Sequence, residues 1–500
     1  MSETTGTETP SLHGDSDLRQ AMTALADYSS SRSESAFVVG GAVRDAILGR
    51  PVGDIDVATE GDPQTFGEGL ASALGWNSTP LDDQRGILRI APHGGVGLHF
   101  DVAPLRGEIE EDLRHRDFSI DAMAFPLSGS GVPGEIDDLV DPHGGRRDLE
   151  SGVVRALSPQ VFSEDPVRLM RAQRLASQLG FNIEERTSDA IKERAGLVTT
   201  VAPERLREEL LKTLEADDAT ASLRSLDGLG LLCELIPELE KARGVEQPKE
   251  HHWDVFEHCL EAAGQVQQVL GQPAQQESHF GMVPRFDDMD AYFDETVSDG
   301  HGRKALAVLA GLLHDVSKPA TKTTEESGRV RFLGHHTEGA KVTEGVMQRL
   351  RFSSRGTAMV STMVEHHLRP GQMAEPGKMP TARAIYRYYR DVSDAATATV
   401  YLNLADYLAA RGPDLDMDDW SDHCKVAEHI LRGQTTGPKT TQTPLLGGHE
   451  IMKEFLLSPG SQVGVLLEVV REAEASGEIS TKQDAILLVK SRLDNGGGGA

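Results

Sequence analysis

Residues 36–59, AFVVGGAVRDAILGRPVGDIDVAT, constrain this chain more than any other stretch. AFVV is a short apolar β-type run, Gly40 and Gly41 end it, and AVRDAILG continues with helical character. Paired glycines let a backbone come close to a phosphate, and a helix N-terminus favours an anion. Arg44 and Asp45 fall in the first turn of that helix, and Asp54 and Asp56 then flank Ile55. On a strand, residues two apart share a face, so both carboxylates point one way while Ile55 and Val57 point into a core. Such a pair can hold two Mg²⁺ ions against a nucleoside triphosphate, activating an attacking hydroxyl and stabilising a departing pyrophosphate. A bare Asp-x-Asp is most often a strand end with two solvated aspartates. The Gly-Gly-x-x-Arg-Asp ahead of it lifts this pair above that reading. Asp101, in LHFDVAPLR, offers a third carboxylate, either to the same metal site or as an ordinary edge-strand acid.

With this segment the chain resembles the bacterial class II tRNA nucleotidyltransferases, the family of CCA-adding enzymes and poly(A) polymerases. Three further segments follow in the family's order: DLRHRDFSIDAMAF (112–125), DPHGGRRDLESGVVRAL (141–157) and FSEDPVRLMRAQRLASQLGF (162–181). The resemblance covers about residues 30–245. It implies an α/β head of the polymerase-β-like nucleotidyltransferase type, then an all-α neck and body and a helical tail. It also implies Mg²⁺ in the head and tRNA, CTP and ATP as partners. Catalysis falls to Asp54, Asp56 and Asp101, and the nucleotide to Gly40, Gly41, Arg44, Arg116, Asp117, Asp165, Arg168, Arg171 and Arg174. Arg116 and Asp117 match the family's ribose- and phosphate-contacting pair. Asp165 and Arg168, three apart, are expected on one helix face. A carboxylate accepts from an exocyclic amine and a guanidinium donates to ring acceptors, a combination that fits cytosine and adenine and disfavours uracil and guanine. In the family these two positions replace a nucleic-acid template. Arg171 and Arg174, on the same helix, are expected to meet triphosphate or RNA backbone. The chain departs from the pattern at His115, where the family has Arg, and at Asp121, where it has Asn. Only GEIEEDLRH separates Arg106 from Arg116, where the full CCA-adding pattern carries a flexible loop. That shortening resembles the enzymes that add CC alone.

A second cluster begins near residue 250. His258 in WDVFEHCLEA, His314-Asp315 at the end of an apolar helix, His335 in FLGHHTEGA, His366 in VEHHLRP and Asp406 in LNLADYLAA follow the order of HD-domain phosphohydrolases. Imidazole with carboxylate suits a transition metal such as Mn²⁺ or Ni²⁺ whose bound water attacks a phosphoester. His258, His314, Asp315, His335 and Asp406 are the expected ligands; His251, His252, His336 and His367 are read as supporting or surface residues. The alternative is an HD fold kept only as an RNA-binding body. RAIYRYYRDV (383–392) interleaves three tyrosines with Arg383, Arg387 and Arg390, which suits either stacking on tRNA or a helix anchored by tyrosines with its arginines in solvent.

The expected organisation is a disordered tail (1–30), the head (31–160), a helical neck (161–245), an HD domain (250–410) with an inserted loop at 271–302, and a helical C-terminal region (411–500). No run approaches the roughly 18 apolar residues of a membrane helix, and the first 17 residues lack the features of a secretory signal. Three scattered cysteines among 500 residues argue for a reducing cytoplasm. With 79 acidic against 50 basic residues the net charge is −29, which repels polyanions at long range. Nucleic-acid binding therefore requires a local basic face. Intact Asp54 and Asp56 argue against a phosphohydrolase whose head only binds RNA and against a non-catalytic RNA chaperone, whereas a poly(A) polymerase of the same superfamily shares these carboxylates and stays as the alternative.

Overall fold

The computed structural model describes residues 16–82, 85–94, 97–127, 138–271, 279–374, 377–436 and 445–496. The chain divides into two compact units, Met1–Val201 with Leu229–Leu231, and Ala202–Gly228 with Leu232–Ala500.

The first unit is built on a six-stranded mixed sheet in the order β3-β4-β5-β2-β1-β6. Its elements run α1 (Ser16–Ser30), β1 (Ala36–Val39), α2 (Gly41–Ile47), β2 (Asp54–Thr59), α3 (Pro63–Leu74), β3 (Asn77–Asp82), β4 (Ile87–Ala91), β5 (His99–Pro104), α4 (Ile109–Arg114) and β6 (Ala124–Pro126). The sequence patterns AFVV, DIDVAT, ILRIAP and LHFDVAPL all form strands. Strand β5 pairs parallel with β2 and antiparallel with β4. Ile55, Val57, Leu88, Ile90, Phe100 and Val102 are buried, and so are Phe66 and Leu70 of α3. Helix α3 is fixed at both ends: Asp62 accepts from the Thr65 N–H at 2.8 Å, Pro63 opens the first turn, and Gly75 closes it in the left-handed region. Helices α5 (Gly145–Glu150), α6 (Val161–Glu164), α7 (Arg168–Leu179) and α8 (Glu185–Arg194) follow, joined by a two-residue parallel pairing of β7 (Val153–Val154) with β8 (Asn182–Ile183). The helical region expected from residue 160 therefore keeps one short strand.

One expectation is corrected in this unit, and one strand carried no sequence signal. Residues 1–15 lie outside the described residues, but 16–30, expected to be disordered, form α1. Leu18, Ala21, Met22, Leu25 and Ala26 make an apolar stripe at helical spacing and are buried, and Tyr28 meets Phe66 edge-on at 5.2 Å. Strand β3, NSTPLD, carried no apolar alternation; it is an exposed edge strand containing Pro80, where a missing N–H is tolerated.

The second unit is helical. It runs through α9 (Pro203–Leu214), α10 (Ala219–Gly228), α11 (Leu232–Leu235), α12 (Val255–Leu270), α13 (Met289–Asp294), the hairpin β9 (Thr296–Ser298) and β10 (His301–Gly302), and α14 (Arg303–Leu313). Then come α15 (Lys318–Thr321), the hairpin β11 (Lys322–Thr324) and β12 (Val330–Phe332), α16 (His335–Arg349), α17 (Ser354–His366), α18 (Arg369–Gln372), α19 (Ala382–Val392), α20 (Ala396–Arg411) and α21 (Met417–Thr436). Helices α22 (Gly448–Phe455), α23 (Ser461–Ala475) and α24 (Lys482–Gly496) share a separate apolar cluster around Ile451, Val470 and Val489. Helices α12 and α14 cross closely because Gly311 faces Ala262 and Ala263; a Cβ there would lie 3.0 Å from the Ala263 Cα. The loop expected at 271–302 is largely ordered structure. Residues 272–278 lie outside the described residues, but from 279 onward Phe280, Val283, Met289, Phe293 and Val297 are buried, and the Tyr401 hydroxyl donates to the Pro284 carbonyl at 2.6 Å. Within the C-terminal region, residues 437–444 and 497–500 lie outside the described residues.

Candidate functional sites in the head and the helical unit

The head presents one polar sheet face. Strand register sets Asp56 directly opposite Asp101, Asp54 opposite His99, and Arg89 opposite Asp101. All five side chains therefore project from the same face, while the buried residues between them face α3. The alternation expected from the sequence holds, and Asp101 lies beside the Asp-x-Asp pair. His99 Nε2 is 3.3 Å from Asp54 Oδ1. Asp56 reaches solvent but lies in a depression dense with protein atoms. This desolvation raises its pKa, opposed by Arg116 and reinforced by the charges of Asp101, Asp121 and Asp54. Three carboxylates gathered on one face are the chemistry a hard divalent cation fits.

Gly40, at φ 75°, ends β1 and leads into α2. A Cβ at this position would sit 2.8 Å from Arg116 Nη1 and 3.4 Å from Asp56 Oδ2, so the missing side chain leaves this space to the ends of both residues. Arg44 is held by both oxygens of Asp45 at 2.9 Å and by Asp121 at 2.6 Å. The departure at Asp121 thus supplies a charged partner to Arg44. Arg116 lies 3.6 Å from Asp112, and Arg171 donates to Asp117 at 3.0 Å. Arg174 donates to Gln178 at 2.8 Å.

The expected helical pairing of Asp165 with Arg168 is corrected. Asp165 caps the end of α6 in an extended conformation, and α7 begins only at Arg168. Pro166 is the cause: its ring disfavours the α region for the residue before it. The two side chains belong to opposite sides of a helix break. Arg168 is oriented by carbonyl oxygens of Val161 at 3.2 Å and His115 at 3.4 Å.

The helical unit gathers a buried imidazole–carboxylate centre. His258 on α12, His314 and Asp315 after α14, and Asp406 on α20 bring one ligand atom each within 4.8 Å of one another; Asp315, His335 and His367 form a second group that shares Asp315. His258 Nε2 and His314 Nε2 face each other at 3.1 Å, and His258 Nε2 lies 3.1 Å from Asp406. His335 Nε2 is 3.2 Å and His367 Nε2 3.9 Å from Asp315 Oδ1. The Nδ1 atoms of His314, His335 and His367 each lie 2.7–2.8 Å from a carbonyl three residues earlier (Gly311, Phe332 and Val364). Such bonds turn the Nε2 lone pairs inward, the outer-shell arrangement typical of metal-binding imidazoles. Both Asp315 oxygens and the Nε2 atoms of His335 and His367 are buried without a well-formed hydrogen bond. Burial opposes protonation of His314, but the carboxylates of Asp315 and Asp406 outweigh it and push the ring up to about 10. Burial and the His314 charge push His367 down to about 3. The donor set of imidazoles and carboxylates fits one or two divalent ions. Lys318 forms a close ion pair with Asp315.

All five expected ligands converge here. His367, read from the sequence as a supporting or surface residue, is fully buried and belongs to the centre, whereas His366 is only half-buried. His251 stands edge-on to His258 at 5.4 Å, with burial holding it down to about 4. The tyrosine–arginine helix α19 is not an open basic face. Arg383 and Arg387 bind Glu472 at 2.9 and 2.6 Å, and Arg390 binds Glu468 at 3.0 Å, both acids on α23. Tyr386 donates to Glu468 at 3.1 Å.

Comparison with known proteins accounts for both regions. The poly(A) polymerase head model matches residues 36–108, a probable RNA- and SrmB-binding site of polymerase A matches 180–243, and the HD model matches 255–411. An A-adding tRNA nucleotidyltransferase from Deinococcus radiodurans is 33% identical over 461 residues, covering 91% of this chain and 95% of its own length. The chain belongs to the tRNA nucleotidyltransferase family. A CC-adding tRNA nucleotidyltransferase from Thermus thermophilus is 32% identical over 90% of this chain and 92% of its own length. Solved structures with the same fold include a CCA-adding enzyme with CTP (TM-score 0.63, 22% identity, 96% of each chain) and the Thermotoga maritima CCA-adding enzyme with tRNA (0.60, 21%, 96% of each). Nucleotidyltransferases of this family use divalent metal ions, in keeping with the carboxylate face of the head. No helix among the described residues is long and apolar enough to cross a membrane.

Proposed function

We propose that this tRNA nucleotidyltransferase extends tRNA 3′ ends toward CCA, without a nucleic-acid template, from CTP and ATP. The observation that carries this reading is the register of Asp54, Asp56 and Asp101 on one sheet face beside the Gly40–Gly41 turn. Mg²⁺ is the metal assigned to these carboxylates; when bound it lowers the barrier to attack by the 3′-hydroxyl and offsets the charge of the departing pyrophosphate. Arg44 and Arg116, each oriented by a carboxylate, face the triphosphate. Asp165 and Arg168 approach the base edge from two sides of the helix break, the carboxylate toward an exocyclic amine and the guanidinium toward ring acceptors.

A second reading, CC addition alone, draws on the connection between β5 and α4: residues 105–108 are all that separate them. We assign a transition metal such as Mn²⁺ or Ni²⁺ to the imidazole centre, and with it a phosphohydrolase activity separate from nucleotide addition. The domain reading is a head over 31–160, a neck over 161–245, an HD region over 250–410 and a helical tail beyond, in a cytoplasmic protein. Incubating a tRNA that lacks CCA with labelled CTP, ATP or both tests the assignment. Extension by C, C and A supports full CCA addition; two C residues and no A select the second reading. Extension of generic RNA by A alone would overturn both in favour of a poly(A) polymerase.

A further inference from the structure

The third head carboxylate already has a cation. Arg89, at the centre of β4, donates Nε–H to Asp101 Oδ1 at 2.8 Å and Nη2–H to Oδ2 at 2.7 Å. This two-pronged geometry is the strongest form of guanidinium–carboxylate pairing. The backbone enforces it: Arg89 and Asp101 are directly cross-strand, and the buried flanking residues Leu88 and Ile90 fix which way Arg89 points. One strand further on, Asp56 stands opposite Asp101. The sheet thus carries a guanidinium, a carboxylate and a second carboxylate in one row, and Asp54 shares their face.

Arg89 relieves the mutual repulsion of three acids, and it does so with a charge that a divalent ion must meet. A carboxylate offers about four lone-pair sites, so Asp101 can bind an ion while still paired, but against the nearby positive charge. We propose that Arg89 is a positioning residue that weakens the grip of the head carboxylates on free divalent cations. The inference rests on the reading of Asp54, Asp56 and Asp101 as the carboxylates of nucleotidyl transfer.

The test uses the full-length chain without nucleotide. Mn²⁺ binding is followed by the electron paramagnetic resonance signal of the free ion in wild type, Arg89→Met, Arg89→Gln and Asp56→Ala. Sites lost in Asp56→Ala define the head class and separate it from the imidazole centre. Arg89→Met is expected to bind Mn²⁺ at those sites about tenfold more tightly. The Mg²⁺ concentration for half-maximal nucleotide addition should fall in parallel, with kcat at saturating Mg²⁺ changed far less. Arg89→Gln keeps a hydrogen bond to Asp101 without the charge and should move the same way, which covers any folding defect of the Met variant. Unchanged or weaker Mn²⁺ binding in both variants, with head sites still lost in Asp56→Ala, overturns the role of Arg89 alone. If Asp56→Ala loses no Mn²⁺, the metal reading of the head fails and the proposal falls with it.

Discussion

Asp56→Asn should separate catalysis from stability in opposite directions. Asparagine keeps the size of the side chain and removes its charge. Asp56 stands directly opposite Asp101 and two residues from Asp54, with Arg116 the cation that lowers its pKa. Removing a charged ligand from such a face forfeits several kcal/mol of transition-state stabilisation; about 4 kcal/mol corresponds to a loss of about 10³ in the rate of nucleotide addition. Stability moves the other way. Desolvation and three neighbouring carboxylates raise the folded pKa of Asp56 above its ordinary value of 3.8. For an acid shifted upward, the protonated form favours folding. That stability is present below the unfolded value and is lost as pH rises through the folded value. At neutral pH the wild-type head therefore folds against an ionised Asp56, and the amide removes this penalty. The assay is paired: single-turnover CMP addition to tRNA lacking CCA, and thermal unfolding of the full chain in metal-free buffer at pH 7 and pH 3. The variant should be nearly inactive, melt higher than wild type at pH 7, and lose that advantage at pH 3. Mg²⁺ should raise the wild-type midpoint by binding the folded state and leave the variant's nearly unmoved. Addition within tenfold of wild type, or a lower midpoint at pH 7 without metal, would refute the reasoning.

Other expectations follow from single contacts. His367→Gln should reduce bound transition metal measured by plasma emission, while His366→Gln leaves it unchanged; equal metal in both would remove His367 from the centre. Asp165→Ala and Arg168→Ala should each relax CTP-over-UTP selection by about 1–3 kcal/mol, about fivefold to 150-fold in competition, and unchanged selection in both would end the base-reading role. Arg387→Ala should alter tRNA affinity less than twofold, because this guanidinium is committed to Glu472; a tenfold loss would mean that α19 leaves α23 for RNA.

What the sequence disclosed and what it hid divide along physical lines. The head strands were legible because apolar residues alternate with Asp54, Asp56 and Asp101, a pattern only a half-buried strand satisfies. The histidine doublet was harder, yet its signal was present. In α17 the buried positions include Val360, Met363 and Val364, and His367 continues that series at helical spacing while His366 falls beside it. Helix α1 hid its stripe of apolar residues, Leu18, Ala21, Met22, Leu25 and Ala26, in a polar N-terminal segment. The break between Asp165 and Arg168 was announced by Pro166. The pairing of α19 with α23 had no local trace, since its charged partners, from Arg390–Glu468 to Arg383–Glu472, lie about 80 to 90 residues apart in sequence. Long-range charge pairing depends on the tertiary fold, and no window of sequence contains it.

The acid surplus then takes on a specific meaning. A net charge of −29 opposes polyanion binding only if basic residues are spread evenly through it, and they are not. In the head, the arginines matched to nucleotide binding sit in carboxylate clamps: Arg44 between Asp45 and Asp121, Arg116 beside Asp112, Arg171 on Asp117. Each carboxylate offsets part of the guanidinium's charge and restricts the side chain's rotamers. A long side chain that is already ordered loses little entropy when a phosphate arrives, so the acid partner trades charge for orientation. Elsewhere, as along α19, Arg383, Arg387 and Arg390 are paired with Glu472 and Glu468, which lowers the pull of that face on RNA. An acidic chain can thus bind a polyanion at one place, provided some of its cations are held in a fixed orientation where the phosphates arrive.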